Sequence, residues 1–560
     1  MASPVAGPPS PQATQDADPR RWWALAVMLL AALMDLLDTT IVNVAIPSIQ
    51  RELETTYATV QWLVVGYVLA FALLLVTGGR LGDVFGRKRV FLAGVGCFTL
   101  ASLGCGLAPS SGMLVGGRIV QGAAAAVMVP QVLAMVQASF PPAERRRAIG
   151  MYAGVGGLAT VLGPLVGGLL IRADLFGWGW RPIFLVNVPV GVVTLVLASA
   201  LVRESRSPDP LRLDPGGVLV LTAGLFALVY PLVQGREQGW PWWSYAMLGA
   251  CVPVLAGFAW YERWKTRRDN SPLVRLGLFG NRGFAAGLPV VLVYFAGVGA
   301  FFLVFVLYLQ VGLGFSALHA GVTTIPFSVG TACAAALATR LSGAHSRRAL
   351  VSGALLSAAG MMAVWGTVRW LGDDITSWWL VPGLLVAGLG MGFALVPVAD
   401  VVLGDVSRGD EGTASGVLST MQQVGNAIGV AVVGVIFFGA LSNGAANAVD
   451  DSVPALRADL SAAHVPSPAA DRIVATYRHC GRVSARSNDP AEVPARCKHA
   501  GDGNGRVAAA ISDASASARA DLFDTAFREA LWWVAAAFAA TLLPMPLLPR
   551  TVRRSDAPLV

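Results

Sequence analysis

Residues 78–90 read GGRLGDVFGRKRV. Four bases (Arg80, Arg87, Lys88, Arg89) and one acid (Asp83) crowd into this gap between two apolar runs, YVLAFALLLVT at 67–77 and FLAGVGCFTLASLGCGLA at 91–108. What the gap is depends on what its flanks are. Of 560 residues, 55% are hydrophobic and 13% charged, whereas soluble domains carry about 25% charged residues. The apolar residues come in long blocks, not at helical or alternating period. Blocks of roughly 18 or more read as membrane-spanning helices. The flanks are therefore spans, and 78–90 is a tight turn between them.

Such runs lie at about 22–46, 58–77, 90–109, 113–137, 148–171, 182–201, 216–234, 243–261, 284–309, 318–339, 349–370, 378–400, 413–440 and 528–548. The expectation is an all-α polytopic membrane protein with fourteen spans and both termini on one side. Alternate loops collect the bases: Arg80, Arg87, Lys88 and Arg89; Arg145, Arg146 and Arg147; Arg203, Arg206 and Arg212; Arg263, Lys265, Arg267 and Arg268; Arg347 and Arg348; Arg408. Lys and Arg stay cytoplasmic, so this set faces in and both termini are expected there, in the cell membrane. The net charge of +8 thus follows topology, and no nucleic-acid partner is expected. Residues 1–21 and 549–560 read as cytoplasmic tails, the first disordered.

The polar, Ala/Ser-rich stretch 441–527 falls on the outer side, as a small helical cap or a flexible loop. It holds Cys480 and Cys497, flanked by His479 and His499. A disulfide suits an oxidising compartment; free thiols or a zinc site are the alternatives, and no metal is expected.

Ionisable groups inside spans are costly, about +2.5 to +3.5 kcal/mol at a helix centre. The first span contains Asp35 and Asp38, three residues apart and so on one helical face. At 1.5 Å per residue they lie about 20–24 Å from the cytoplasmic end. Arg118, in the oppositely directed fourth span, lies about 8 Å below the outer face, close to the depth of Asp38. Opposite charges at one depth suggest a pair or a shared polar cavity. The carboxylate then either binds protons to an extent that changes as the surroundings alternate, or forms a static pair that fixes packing. In the fifth span, Gly154, Gly156, Gly157, Gly163, Gly167 and Gly168 give a stripe for close helix contact, and Pro164 bends the helix. Asp83 is not required by the charge rule, and reads as a latch toward an Arg or a helix N-terminus such as that of the thirteenth span.

At these residues the chain resembles a major facilitator superfamily transporter of the fourteen-helix drug:proton antiporter type. Gly79, Leu81, Asp83, Gly86, Arg87 and Lys88 match the superfamily's loop 2–3 motif. Residues 37–47, LDTTIVNVAIP, match the first-helix motif; Arg118, Gln121 and Gly122 match the fourth-helix motif; and Gly163, Pro164, Gly167 and Gly168 match the antiporter motif. Alanines follow Gly122 where the family often has a further glycine. The resemblance implies two six-helix bundles, 22–201 and 284–548, with two inserted helices at 214–264. It implies proton coupling through Asp38 and Arg118 (with Asp35 beside them), a cytoplasmic gate at Asp83 and Arg87, and an antiport role for Gly163-Pro164.

Trp62, Tyr67, Gln121, Tyr294, Gln422, Gln423 and Asn426 are candidate cavity groups, since aromatic faces and amides suit amphipathic molecules. The expected activity is export of lipophilic drugs or antibiotics in exchange for protons, by a monomer in the lipid bilayer with no cofactor. Export of a single endogenous solute, and a sensor or scaffold role, are the alternatives. No GxxxxGK[ST] phosphate loop occurs, which gives ATP-driven pumping no support, and no enzyme activity is expected.

Overall fold

The long apolar blocks all become helices. The computed structural model describes residues 20–207, 212–269, 271–340, 345–372, 375–404, 406, 411–486 and 505–548. In chain order the spans are Arg21–Glu52, Tyr57–Phe85, Arg87–Gly106, Ser111–Ser139, Pro142–Ala173, Pro182–Leu201, Pro215–Gln234, Trp242–Asp269, Arg282–Gly312, Ala317–Thr339, Ser346–Leu371, Ser377–Leu403, Glu411–Ala462 and Gly505–Ala540. Thirteen of these are long and apolar enough to cross a membrane. The fifth, Pro142–Ala173, has 32 residues and makes fourteen. Short polar side chains set several starts: Thr56, Ser110, Asp214, Asn281 and Ser316 each accept a hydrogen bond from a first-turn N–H.

The packing repeats. In the first six spans, the first lies against the fifth and sixth, the second against the fourth, and the third against the fourth and sixth. In the last six, the ninth lies against the thirteenth and fourteenth, the tenth against the twelfth, and the eleventh against the twelfth and fourteenth. Each half thus uses one contact plan, shifted by eight spans. The halves meet through the second with the thirteenth span, and the fifth with the tenth, again a matched pair. The seventh span lies against the second and thirteenth, and the eighth packs mainly on the seventh. Arg236, in the loop between them, donates to the Phe438 carbonyl at 2.6 Å, and burial lowers its pKa.

The stretch 441–527 takes the cap form in its described part. The thirteenth span does not stop at the membrane: Glu411–Ala462 is a helix of 52 residues, about 78 Å long, against a hydrocarbon core of about 30 Å. The amphipathic helix Ser467–Arg486 follows, and the last span begins early, at Gly505. The three segments share a small core of Val449, Val453, Leu456, Leu460, Val474, Tyr477, Ala510 and Ala514. Tyr477 ties them together, its hydroxyl lying 2.8 Å from Ser452 Oγ and donating to the Ala514 carbonyl at 3.1 Å. Cys480 is disulfide-bonded, while Cys97, Cys105, Cys251 and Cys333 are free. Cys497, the partner expected from sequence, lies outside the described residues.

Candidate functional site

Asp38 sits within the first half and is itself fully buried. Its carboxylate accepts three side-chain donors. Arg118 Nη1 reaches Oδ2, while Gln121 Nε2 (2.8 Å) and Asn187 Nδ2 (2.9 Å) reach Oδ1. Asp38 and Gln121 are 0% exposed, Arg118 2% and Asn187 4%. All three partners are donors, and a carboxylate's oxygens accept.

Each donor is itself held. Arg118 gives Nε to the Leu63 carbonyl at 3.1 Å and Nη1 to Gln121 Oε1 at 2.8 Å. Its guanidinium lies 4.2 Å from the Tyr67 ring centroid, within cation–π range. Gln121 and Asn187 both donate to Ser102 Oγ, at 3.2 and 3.0 Å, and Ser102 in turn donates to the Phe184 carbonyl at 2.9 Å. Tyr67, 0% exposed, donates its hydroxyl to Asp35. The first, second, third, fourth and sixth spans thus meet on one buried polar network. The equal depths inferred for Asp38 and Arg118 correspond to direct contact. Tyr67 and Gln121 belong to this network. Ser102 and Asn187 are additions that sequence reasoning missed: neither is charged, so neither stood out among the apolar residues around it.

The expected turn at 78–90 is helical except at Gly86, where the second span meets the third. Across it Asp83 Oδ1 accepts Arg87 Nη2 at 2.8 Å and Nε at 3.2 Å, and Arg87 reaches on to the Ala134 carbonyl at 3.4 Å. Arg87 opens the third span four residues on from Asp83, so the acid is paired locally. Gly86 turns the chain at φ +105°, and a side chain there would meet the Glu204 carboxylate at 2.7 Å. That carboxylate accepts the N–H groups of Lys88 (3.0 Å) and Arg89 (3.3 Å), capping the third span. Lys88 Nζ donates to the Ser199 carbonyl at 2.7 Å. Gly79 faces Pro130 of the fourth span.

The profile of the Major Facilitator Superfamily matches residues 28–430. This chain belongs to the Major Facilitator Superfamily. A probable actinorhodin transporter of Streptomyces coelicolor is 42% identical over 98% of this chain and 96% of its own length. The puromycin resistance protein pur8 of Streptomyces alboniger is 37% identical over 76% and 84%. The tetracenomycin C resistance and export protein of Streptomyces glaucescens is 34% identical over 74% and 76%. Among solved structures, a bacterial homolog of the human lysosomal transporter Spinster, inward-facing and unoccupied, superposes with a TM-score of 0.57 at 18% identity, covering 95% of this chain and 98% of that one. A D-xylose–proton symporter superposes with a TM-score of 0.53 at 17% identity, covering 74% and 90%. At these identities the structures support the fold. The molecule is a multi-pass membrane protein of a transporter superfamily.

In this superfamily member the glycines of the fifth span have separate neighbours. Gly163 and Gly167 are pressed against Thr40 and Ile41, just past Asp38. Gly168 faces the tenth span, where a Cβ would lie 2.5 Å from Leu318 Cα, and a Cβ on Gly321 would lie 2.5 Å from the Pro164 carbonyl. One short stretch therefore touches both the Asp38 helix and the opposite half.

The remaining cavity candidates are dispersed. Trp62 lies 6.0 Å from the ring of Tyr230 in the inserted pair. Tyr294 lies 2.8 Å from Ser357 by their hydroxyls. It lines a small apolar crevice with Val298, Phe301, Phe327, Met361 and Phe538. Gln422 and Gln423 are half-buried on the thirteenth span. Gln423 accepts from Asn426 Nδ2 at 3.2 Å, and Asn426 Oδ1 is buried without a hydrogen-bond donor.

Proposed function

We propose that this chain exports antibiotics from the cell in exchange for protons by alternating access, with its arginine-rich loops and both termini in the cytoplasm. The cargo class is supported by the relatives, several of which are antibiotic transporters or resistance proteins. The observation that carries proton coupling is the buried Asp38 carboxylate, which faces donors alone and is held by an arginine with other partners in reach. A proton arriving on Asp38 removes the charge that Arg118 pairs with. Arg118 then keeps the Leu63 carbonyl, Gln121 and the Tyr67 face, so its release from the first span leaves it partnered. The first span is freed from the fourth and sixth. Thr40 and Ile41 pass that change to Gly163 and Gly167, and Gly168 passes it to Leu318. The half-to-half contact of the fifth and tenth spans thereby becomes sensitive to the proton.

Uptake into proteoliposomes under an imposed pH gradient tests this, with an antibiotic panel as cargo. The wild type should accumulate cargo with proton counterflow. Asp38→Asn, inserted and folded, should lose gradient-driven uptake. Unchanged uptake in that variant would remove Asp38 from the mechanism, and transport of one endogenous solute alone would exclude antibiotics as the cargo.

A further inference from the structure

A second set of buried acids lies away from Asp38, where the inserted pair meets the end of the second span. Asp214 caps the seventh span and Glu262 sits near the end of the eighth; they are 1% and 0% exposed. Each uses one carboxylate oxygen conventionally. Asp214 Oδ1 accepts Gly217 N at 3.0 Å and the Tyr261 hydroxyl at 2.9 Å, and Glu262 Oε2 accepts Val274 N at 2.8 Å. The other two oxygens, Asp214 Oδ2 and Glu262 Oε1, are buried and have no donor. Both border Gly217: a Cβ built there would lie 2.8 Å from the first and 2.7 Å from the second.

Two ionised carboxylates close together out of water repel, and a buried acceptor without a donor is unfavourable. A single proton removes both penalties, because a carboxylic acid supplies the donor that a carboxylate needs. We infer that Asp214 and Glu262 form a proton-binding site, holding one proton between them that fastens the inserted pair to the end of the second span.

The surrounding charges fit one proton. Arg80, from the second span, is buried and donates to the carbonyls of Arg212 (3.2 Å), Ser271 (3.4 Å), Leu273 (3.3 Å) and Pro272. Its charge acts on both acids, and the singly protonated pair carries one negative charge. Lys265 and Asp269 neutralise each other at 2.9 Å. Arg212 and Arg275 lie at the edge, and Tyr261 donates to Asp214 as described. The segment 271–274 is gripped from both sides, by Arg80 on its carbonyls and by Glu262 on Val274 N. It leads into the last six spans. Loss of the shared proton pushes the two acids apart and loosens this link. The site is independent of the coupling proposed for Asp38.

The full-length protein in detergent tests the inference. Infrared difference spectroscopy in deuterated and ordinary water should show a protonated-carboxyl band at neutral pH that disappears in Glu262→Gln and in Asp214→Asn. Gln supplies an N–H in place of the shared proton and Asn still caps a helix, so both variants should fold. The folded state holds a proton here that the unfolded chain has released, so melting temperature should fall as pH rises above the ordinary carboxyl range. That fall should flatten in Glu262→Gln. A band of equal intensity in all three proteins, or an unaltered pH slope, overturns the inference. Stabilisation by added Na⁺ or Mg²⁺ that vanishes in the variants also overturns it, since the pair would then be ionised around a cation.

Discussion

Asn187 Nδ2 lies 2.9 Å from Asp38 Oδ1 although 149 residues separate them. The contact brings the sixth span to Asp38 beside the fourth-span donors Arg118 and Gln121. A hydrogen bond to a charged group contributes roughly 1.5–3 kcal/mol. Asn187→Leu keeps the volume and removes the donor to both Asp38 and Ser102. Gradient-driven uptake in proteoliposomes should fall about tenfold, matching a loss of that size, and the melting temperature should drop. Wild-type values for both would mean that the sixth span takes no part.

Arg118 offers a sharper test of geometry against charge. Its fork serves Asp38, Gln121 and the Leu63 carbonyl while its plane covers Tyr67. Lysine keeps the charge but has neither fork nor plane. Arg118→Lys should insert normally and lose gradient-driven transport about tenfold or more, read by the same uptake assay. Full activity would show that a point charge suffices.

The parts of this site that were legible in the sequence are those that cost energy to bury. Asp35, Asp38 and Arg118 stand out because charges in spans are expensive, and rise per residue places two of them at one depth. Ser102 and Asn187 carry no such penalty and read as ordinary span residues. Arg80 shows the opposite failure. The charge rule accounts for a base in that turn, and so hid the fact that its side chain is buried against four carbonyls. The fourteen runs located the spans, but not where the thirteenth ends or the fourteenth begins. Beyond the membrane those helices need only one apolar face, and Ala/Ser-rich sequence with one such face reads equally well as loop.

The contact of Gly168 with Leu318 should be state-dependent. With Leu318 Cα only 2.5 Å from where a Cβ would stand, Gly168→Leu cannot close the fifth span on the tenth. Spin labels at the ends of those spans nearest the cap should report a longer mean distance in this variant than in the wild type, by double electron–electron resonance. Transport should fall with it. An unchanged distance distribution would show that the helices reseat around the new side chain.

The cap supplies the test that separates a pump from a sensor. Its core is local, and Tyr477 and the Cys480 disulfide fasten it without touching the Asp38 network. Tyr477→Phe removes two buried hydrogen bonds at about 1 kcal/mol each, and Cys480→Ser removes a cross-link of about 2–4 kcal/mol. Limited proteolysis should cut the double variant faster within 441–527 than the wild type. Gradient-driven uptake should nevertheless remain near the wild-type rate, because spans thirteen and fourteen keep their packing below the cap. Abolished transport in a variant that still inserts would tie the cap to the transport cycle and favour a regulatory role for it.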